Sequence, residues 1–547
     1  MGTKVSKVHN ISNYLIPVVK VFSSSRNNSF PTTIRRTITN TTIIKAITSI
    51  SNPTSATQNS SAVYIGLGTF ESIILKDAAY IDKTLLITEL FRNTTPTIIL
   101  TYPRRWGKSI NLDMIKTFVE IEIDKTTGEP VKKEYCKNYK YFLGGVVQLD
   151  NMTKQPKEIK PLQIHNYDTI INTYLGNYPV IYIDFSSTIS ITNSFTGLES
   201  RIKAIIQSLY MEHIYLLDCN KVTDEQKQIF RSYLSMEYSN DSIIDSLTFL
   251  STLLHQHFNQ KVIILIDEYD TPITHALLNF NEVDINHTLN LFSSLFISTF
   301  KTNKVSLEKG LLTGVNRIPK TNLYAGLNNI EEYDISDSKF ASYYGFTEME
   351  VNELFNKYNI PIDIQIKLKK WYNGYYIGNY QIYNPWSILN VLKKYNENKN
   401  ISDSELLRSY WVQTGTITML DDAFRMKIFR SQLNRLLMDD SITFTFKNQL
   451  NKDDFRFLKS LSASSSNKNV SHNDFNVFFS HLFTTGYLTK DTTKTNYYKI
   501  PNFEIKSEIE KKQIEYYTSK YRISKSRFQI IFQVVKLIFN ITGIPLM

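Results

Sequence analysis

Four short apolar segments, separated by long stretches with helical spacing, constrain the fold of this chain more than any other feature. They span residues 97–101, 180–185, 262–267 and 311–315. Apolar residues at nearly every position indicate strands that are covered on both faces, as in parallel sheets. Helical spacing between them, as over 109–120, supplies the covering layers. The pattern predicts an α/β fold with helices flanking a parallel sheet.

The texture of the sequence divides its 547 residues into four segments. Residues 1–63 are rich in Ser, Thr and Asn, which predicts a disordered leader. Segment 64–335 carries the strands, 336–430 has the pattern of a helical lid, and 431–547 is a mixed C-terminal region. Helices in the lid are predicted over 347–357, 362–371 and 384–394.

Charge is concentrated at one end of the chain. The net charge is +11, and +7 of it comes from the first 70 residues, which contain no acidic side chain. The nearly balanced remainder gives no support for a nucleic-acid partner. Two cysteines fit an intracellular protein, cytoplasmic or nuclear. Import into an organelle through the basic leader is the alternative. No apolar run approaches the roughly 18 residues that a membrane helix needs.

The sharpest local motif runs from Tyr102 to Ser109, between a predicted strand and a predicted helix. Backbone N–H groups at a helix N-terminus favour a phosphate anion. Gly107 would allow close backbone approach, Lys108 would reach the β- and γ-phosphates, and the Ser109 hydroxyl would bind Mg²⁺. Tyr102 stands where the usual loop has its first glycine. The competing interpretation is an ordinary strand–turn–helix with a surface lysine.

Three further side chains lie inside this loop and are candidates for nucleotide binding. Arg104 and Arg105 carry guanidinium groups suited to bidentate phosphate contacts, although they could equally pair with acids elsewhere. Trp106 completes the predicted binding set.

A second motif ends the most apolar predicted strand, which runs into Asp267, Glu268 and Asp270. In parallel sheets, ligands bind beyond the carboxyl ends of the strands. Asp267 would hold Mg²⁺ and Glu268 would polarise an attacking water. The alternative is a solvated acidic turn.

A third motif follows the 311–315 strand. Thr313 or Asn316 could sense the γ-phosphate, as polar residues do in P-loop ATPases with an additional strand. Arg317 could stabilise charge in a transition state. A simple strand-to-loop transition is the competing interpretation.

Together these motifs resemble the AAA-ATPase-like family of predicted P-loop ATPases. Residues 103–109 are similar to the family's Pro-Arg-Arg-aromatic-Gly-Lys-Ser/Thr loop, in which the first glycine is commonly absent. The segments 80–84 and 266–273 resemble the stretch ahead of that loop and the acid-bearing strand. Other similar stretches lie at 313–318, 326–329, 344–351, 371–375, 383–387, 486–489 and 500–505.

The resemblance implies that ATP is bound with Mg²⁺ and hydrolysed, and that hydrolysis drives a conformational change. Family members often carry a nuclease domain behind the core, so residues 431–547 are interpreted as a truncated remnant. Two alternatives stay open: a nucleotide-binding switch or scaffold with little hydrolysis, and a DNA-processing ATPase. A protein partner or a second copy of the chain could bind through the lid or the C-terminal helix, where apolar residues recur from Ile530 to Ile541.

Overall fold

The largest sheet among the described residues is a five-stranded parallel sheet with the order β4-β5-β6-β1-β7. Strand β6 therefore lies between β1 and β5, which carry the first two motifs. The strands are β1 Thr97–Thr101, β4 Val180–Asp184, β5 Val262–Asp267, β6 Leu307–Gly314 and β7 Ile330–Tyr333. The predicted α/β fold with a parallel sheet is confirmed.

This computed structural model describes residues 63–76, 78–148, 156–189, 193–319, 329–411, 416–463 and 470–542. The predicted leader lies outside these residues except for Val63, and so does the similar stretch 326–328. Residues 60–547 form one compact unit. The boundaries at 335 and 430 therefore remain predictions about segments of the sequence.

Helices cover the sheet, and the longest connections between strands are helical. Helix α3 follows β1 directly, while α6 packs on β4 and α8 on β5. The helices up to β7 are α1 Phe70–Leu75, α2 Leu85–Arg92, α3 Lys108–Val119, α4 Lys137–Leu143, α5 Asp168–Tyr174, α6 Phe195–Glu212, α7 Asp224–Ser235, α8 Asn240–Phe258, α9 Thr271–Asn279 and α10 Glu282–Ile297. Shorter helical turns lie at Gln163–Asn166, Ser186–Ile189, Ile214–Asp218, Ser298–Thr302 and Ala341–Tyr343.

Beyond β7 the chain is mainly helical. The helices are α11 Glu348–Lys357, α12 Ile362–Tyr372, α13 Pro385–Glu397, α14 Asp403–Leu406, α15 Thr416–Arg425, α16 Lys427–Leu437, α17 Lys452–Ala463, α18 His472–Thr484, α19 Phe503–Tyr521 and α20 Lys525–Thr542. The three helices predicted in the lid correspond to α11, α12 and α13. Pro385 opens α13 at its first position, where the missing N–H costs nothing.

Within the described ranges, three small antiparallel sheets accompany the central one. Their strands are β2 Gly145–Gln148 with β3 Pro156–Ile159; β8 Phe346–Thr347, β9 Tyr375–Ile377 and β10 Tyr380–Tyr383; and β11 Ile442–Thr443, β12 Thr489–Lys490 and β13 Tyr497–Lys499.

Two hydrophobic clusters hold the described residues together. The larger surrounds the sheet and continues into the C-terminal helices, so that Leu482 and Ile505 belong to the same cluster as Ile264. The smaller, which we call the 346–410 cluster, is formed mainly by residues between Phe346 and Tyr410. Among the described residues, no helix combines the length and apolar character that crossing a bilayer requires.

Candidate functional site

The connection between β1 and α3, which we call the 102–107 loop, contains two residues in left-handed conformation. Arg105 has φ of 64° and Gly107 has φ of 85°. Gly107 is also the N-cap of α3, so the helix begins at Lys108. Left-handed backbone is strained for a residue with a Cβ, and such strain concentrates at functional sites. The loop turns its backbone sharply just before the N–H groups that an α-helix leaves without internal partners.

The amine of Lys108 lies at the centre of the site. It is buried, and it donates to the carbonyl oxygens of Tyr102 and Pro103 at 3.1 Å each. Its Nζ lies 3.9 Å from Oε1 of Glu268. The structure therefore brings the lysine of the first motif and the glutamate of the second together.

The Asp267 carboxylate, at the end of β5, lies beside hydroxyl groups from two neighbouring elements. Thr313 on β6 donates to its Oδ1, and the Ser109 hydroxyl at the start of α3 is near enough to lower the pKa of the same carboxylate. Burial raises the pKa of Asp267, while these two hydroxyl groups and the charge of Lys108 oppose the rise. Three elements are joined at one acid by these contacts.

Glu268 leaves the strand with a left-handed backbone, at φ of 53°. Its Oε2 accepts a hydrogen bond from the Thr271 hydroxyl at 2.8 Å, and its side chain is one-fifth exposed. This geometry turns the carboxylate toward Lys108 and leaves part of it accessible from solvent.

The third motif is held by Asp270, an acid to which the sequence assigned no role. Its carboxylate accepts from the backbone N–H groups of Val315 and Asn316 at 3.1 and 2.7 Å, and from Nδ2 of Asn316 at 3.0 Å. Burial is the main cause of its raised pKa, and the Glu268 charge adds to it. The amide of Asn316 is thus engaged with Asp270.

Arg317 is anchored to the segment after β7. Its guanidinium lies 3.1 Å from Asp334 and 3.3 Å from Asp337, and it donates to the Glu332 carbonyl at 2.5 Å. The side chain is largely buried. These contacts favour a role in fixing the end of β6 over the predicted contact with a transition state.

The three predicted binding residues of the 102–107 loop have different surroundings. Arg104 and Arg105 are exposed, and the Arg105 guanidinium stacks over the Trp386 ring at 4.2 Å. Trp106 is fully buried and meets the ring of Tyr375 edge-on, with centroids 4.9 Å apart. Its side chain anchors the loop to β9, so only its backbone is left to face a ligand.

Other residues at the site were not predicted from the sequence. Asp184 ends β4 opposite Asp267 in register, and it carried the same signal as Asp267, an apolar strand that ends in an acid. Asp270 was visible only as a third acid in the turn. Trp411, whose Nε1 donates to the Arg104 carbonyl at 2.9 Å, gave no signal because the two residues are 307 positions apart.

The oxygen atoms at this site fit a hard divalent cation. The Ser109 hydroxyl lies near the Asp267 carboxylate, and both carry oxygen ligands of the kind that Mg²⁺ takes. Two protein ligands are typical where substrate phosphates complete the coordination. Among the described residues, no group of three or more His, Cys, Asp and Glu side chains could enclose a metal.

Comparisons with known proteins agree with this architecture. An uncharacterised protein encoded in the vnfD 5' region of Azotobacter chroococcum is 25% identical over 386 residues, or 70% of this chain and 60% of the relative. The chain thus spans about three-fifths of that relative's length. The family model AAA-ATPase-like, described as a predicted AAA-ATPase, matches residues 64–138 and 148–324, which include all three motifs. The core of this chain therefore matches the AAA-ATPase-like family, as its three motifs predicted.

Proposed function

We propose that this protein binds ATP with Mg²⁺ and hydrolyses it at the carboxyl ends of β1, β5 and β6. The observation that carries the proposal is the convergence of Lys108, Ser109, Asp267 and Glu268 around the N-terminus of α3. The match of the core to this family supports nucleotide binding in general terms.

The 102–107 loop and the first turn of α3 would hold the phosphates. A helix N-terminus offers backbone N–H groups and a favourable dipole to an anion. The Lys108 amine would exchange the carbonyls of Tyr102 and Pro103 for phosphate oxygens, which its flexible stem permits. Arg104 and Arg105 are exposed at the same loop and add positive charge.

Ser109 and Asp267 would hold the metal. Mg²⁺ bound there would neutralise charge on the β- and γ-phosphates. The Thr313 hydroxyl keeps the Asp267 carboxylate in place through its hydrogen bond. In this arrangement Thr313 acts on the metal site indirectly, through Asp267. Its contact with the γ-phosphate stays a prediction.

Glu268 is the residue that we assign to the attacking water. Its carboxylate would accept a hydrogen bond from a water whose oxygen forms a bond to the γ-phosphorus, and it would take up the proton that this water loses. The bond to the bridging oxygen breaks at the same time, and its electron pair leaves with ADP. Asp270 would position Glu268 and Asn316 by holding the turns that carry them, and Arg317 would fix the end of β6.

Binding is tested with the full chain by isothermal titration with ATP and Mg²⁺. Lys108→Ala should lower the affinity at least about tenfold, because a charge-assisted hydrogen bond to phosphate is lost. Lys116→Ala is the matched control, since it removes the same charge two turns along α3 and should leave the affinity unchanged. Equal affinities for wild type and Lys108→Ala would overturn the proposed site.

Hydrolysis is tested by phosphate release. Glu268→Gln keeps the side-chain shape and a partner for Thr271, so ATP should still bind, while turnover should fall about 100-fold or more. Equal and slow release by wild type and variant would sink the enzymatic part of the proposal. Binding without turnover would then favour a nucleotide-dependent switch.

A further inference from the structure

A buried carboxylate near the C-terminus carries three hydrogen bonds that reach toward the 102–107 loop. Glu504, in the first turn of α19, is 0% exposed. Its Oε1 accepts from the backbone N–H groups of Tyr410 and Trp411 at 2.7 and 2.9 Å, and its Oε2 accepts from the Ser387 hydroxyl at 2.7 Å. Burying a carboxylate is costly unless its lone pairs are satisfied, as they are here.

Two of these partners lie at or beside residues that contact the loop. The indole N–H of Trp411 donates to the Arg104 carbonyl at 2.9 Å. Trp386, the residue before Ser387, lies under the Arg105 guanidinium at 4.2 Å. One carboxylate therefore holds two segments, and each segment presents a tryptophan to one of the two adjacent loop arginines.

Ring contacts also restrain Trp106 in the loop and Trp411 beside it. Trp106 is packed edge-on against Tyr375, and Trp411 is packed against Tyr487 at 5.4 Å between ring centroids. The left-handed Arg105 is strained, and such a conformation persists only where its surroundings enforce it. Trp386 contacts the Arg105 side chain and Trp411 contacts the carbonyl of the preceding residue, so both can help to enforce it.

We propose that Glu504 is a positioning residue that sets the conformation of the 102–107 loop through Trp411 and Trp386. The C-terminal region is thereby linked to the nucleotide site, and this consequence rests on the proposed function. Linkage is reciprocal, so a nucleotide that orders the loop also stabilises the start of α19, and a partner that moves α19 changes nucleotide affinity.

Two substitutions separate the hydrogen bonds from the charge. Glu504→Gln can keep all three bonds, because its oxygen can take the two backbone N–H groups and its amide can donate to Ser387. Glu504→Leu removes every acceptor and leaves the N–H groups of Tyr410 and Trp411 unpaired. Glu508→Leu is the matched control, because Glu508 is a half-buried glutamate one turn further along the same helix.

The first measurement is hydrogen exchange of the amides in residues 102–108 without nucleotide. Glu504→Leu should raise their exchange about tenfold, the size expected for losing a buried hydrogen bond, whereas Glu504→Gln and Glu508→Leu should match wild type. Faster exchange confined to residues around 410 would overturn the proposal, because the loop would then be independent of Glu504.

A second variant covers the case in which Glu504→Leu does not fold. Trp411→Phe keeps a ring but removes the N–H that reaches Arg104, and it should also raise exchange in the loop. Unchanged exchange in Trp411→Phe would contradict the proposal.

Titration with ATP distinguishes the two proposals. If wild type binds ATP, the affinity should fall about tenfold in Glu504→Leu and stay unchanged in Glu504→Gln. If wild type does not bind ATP while loop exchange responds as expected, the proposed function fails and the positioning role stands. If ATP binds equally to all variants and exchange is unchanged, the positioning role fails alone.

Discussion

Buried carboxylates are the most informative single residues in this protein. Asp267, Asp270 and Glu504 are each buried at the end of an apolar element or at the start of a helix, and each accepts hydrogen bonds from another part of the chain. Burial raises the pKa of each of the three. A buried carboxylate without partners would destabilise the fold. The hydrogen bonds that it accepts offset this cost and connect distant parts of the chain.

Glu504 gives a prediction for stability against pH. Burial raises its pKa from 4.5 to about 6, so the folded state binds this proton more tightly than the unfolded state does. The associated stabilisation is fully present below pH 4.5 and is lost as pH rises through 6. We expect wild type to lose about 1 kcal/mol relative to Glu504→Gln between pH 5.0 and 7.5.

The measurement is urea unfolding of both proteins across that pH range. Two histidines, the half-buried His213 and the buried His481, have pKa values lowered to about 4 by desolvation, and they make stability rise with pH in both proteins. This histidine contribution is the same in both proteins, so it cancels when their unfolding free energies are subtracted. A difference that does not change with pH would contradict the assignment.

At the scale of elements, two glycines control how strand ends meet the site, for different reasons. Gly107 needs left-handed backbone at φ of 85°, while an added Cβ would meet only Ile110 at 3.8 Å. Gly314 ends β6 without a positive φ, but an added Cβ would lie 2.3 Å from Oδ1 of Asp270 and 2.8 Å from the Tyr269 ring.

Because the two causes differ, we expect Ala and Asn to rank in opposite order at the two positions when their losses of stability are compared. At Gly107, Ala should cost about 1–2 kcal/mol and Asn less, because Asn tolerates left-handed backbone. At Gly314, Ala should cost about 3 kcal/mol and Asn more, because the larger side chain is harder to fit. Chemical denaturation of the four variants measures the order, and the same order at both sites would refute this explanation.

Strand β6 and strand β7 show where local pattern was insufficient. The predicted strand 311–315 is observed as Leu307–Gly314, because Lys309 interrupts the apolar pattern yet lies in the sheet. The Lys309 amine is satisfied by a hydrogen bond that it donates to the Asn93 carbonyl. β7 was not predicted at all, since Glu331 and Glu332 give it the composition of a loop. As an edge strand beside β1, it leaves these acids half-buried.

At the scale of the whole molecule, an ion pair between a buried lysine and a half-buried glutamate joins the segment ahead of the 102–107 loop to helix α11. The Lys83 amine lies 2.6 Å from Oε1 of Glu350 and donates to the Ser342 carbonyl at 2.6 Å. Burial lowers the pKa of Lys83, and Glu350 opposes that shift. The pair links the core that carries the site with the 346–410 cluster.

We expect Glu350→Gln to destabilise the protein by about 3 kcal/mol, because Lys83 stays buried without its counter-charge. Asp403→Asn is the control, since it breaks the exposed pair with Lys367 and should cost under about 1 kcal/mol. Thermal or denaturant unfolding gives both values. Equal costs would show that the Lys83 pair contributes no more than a surface pair.

The C-terminal region belongs to the same hydrophobic cluster as the sheet. Helix α20 leaves Ile530, Ile531 and Val534 exposed. A protein partner for this helix stays a prediction.

Local sequence patterns were enough to predict the α/β class, the helices at 109–120, 347–357, 362–371 and 384–394, and the residues of the three motifs. These depend on local periodicity and on acids or glycines placed next to apolar strands, which act over a few residues. The strand order and the contact of Lys108 with Glu268 are set by long-range packing. So are the anchoring of Arg317 and the hydrogen bonds of Glu504 to segments that contact the 102–107 loop. Those features depend on which distant segments pack together to bury apolar surface and satisfy buried polar groups, and no local pattern encodes that choice.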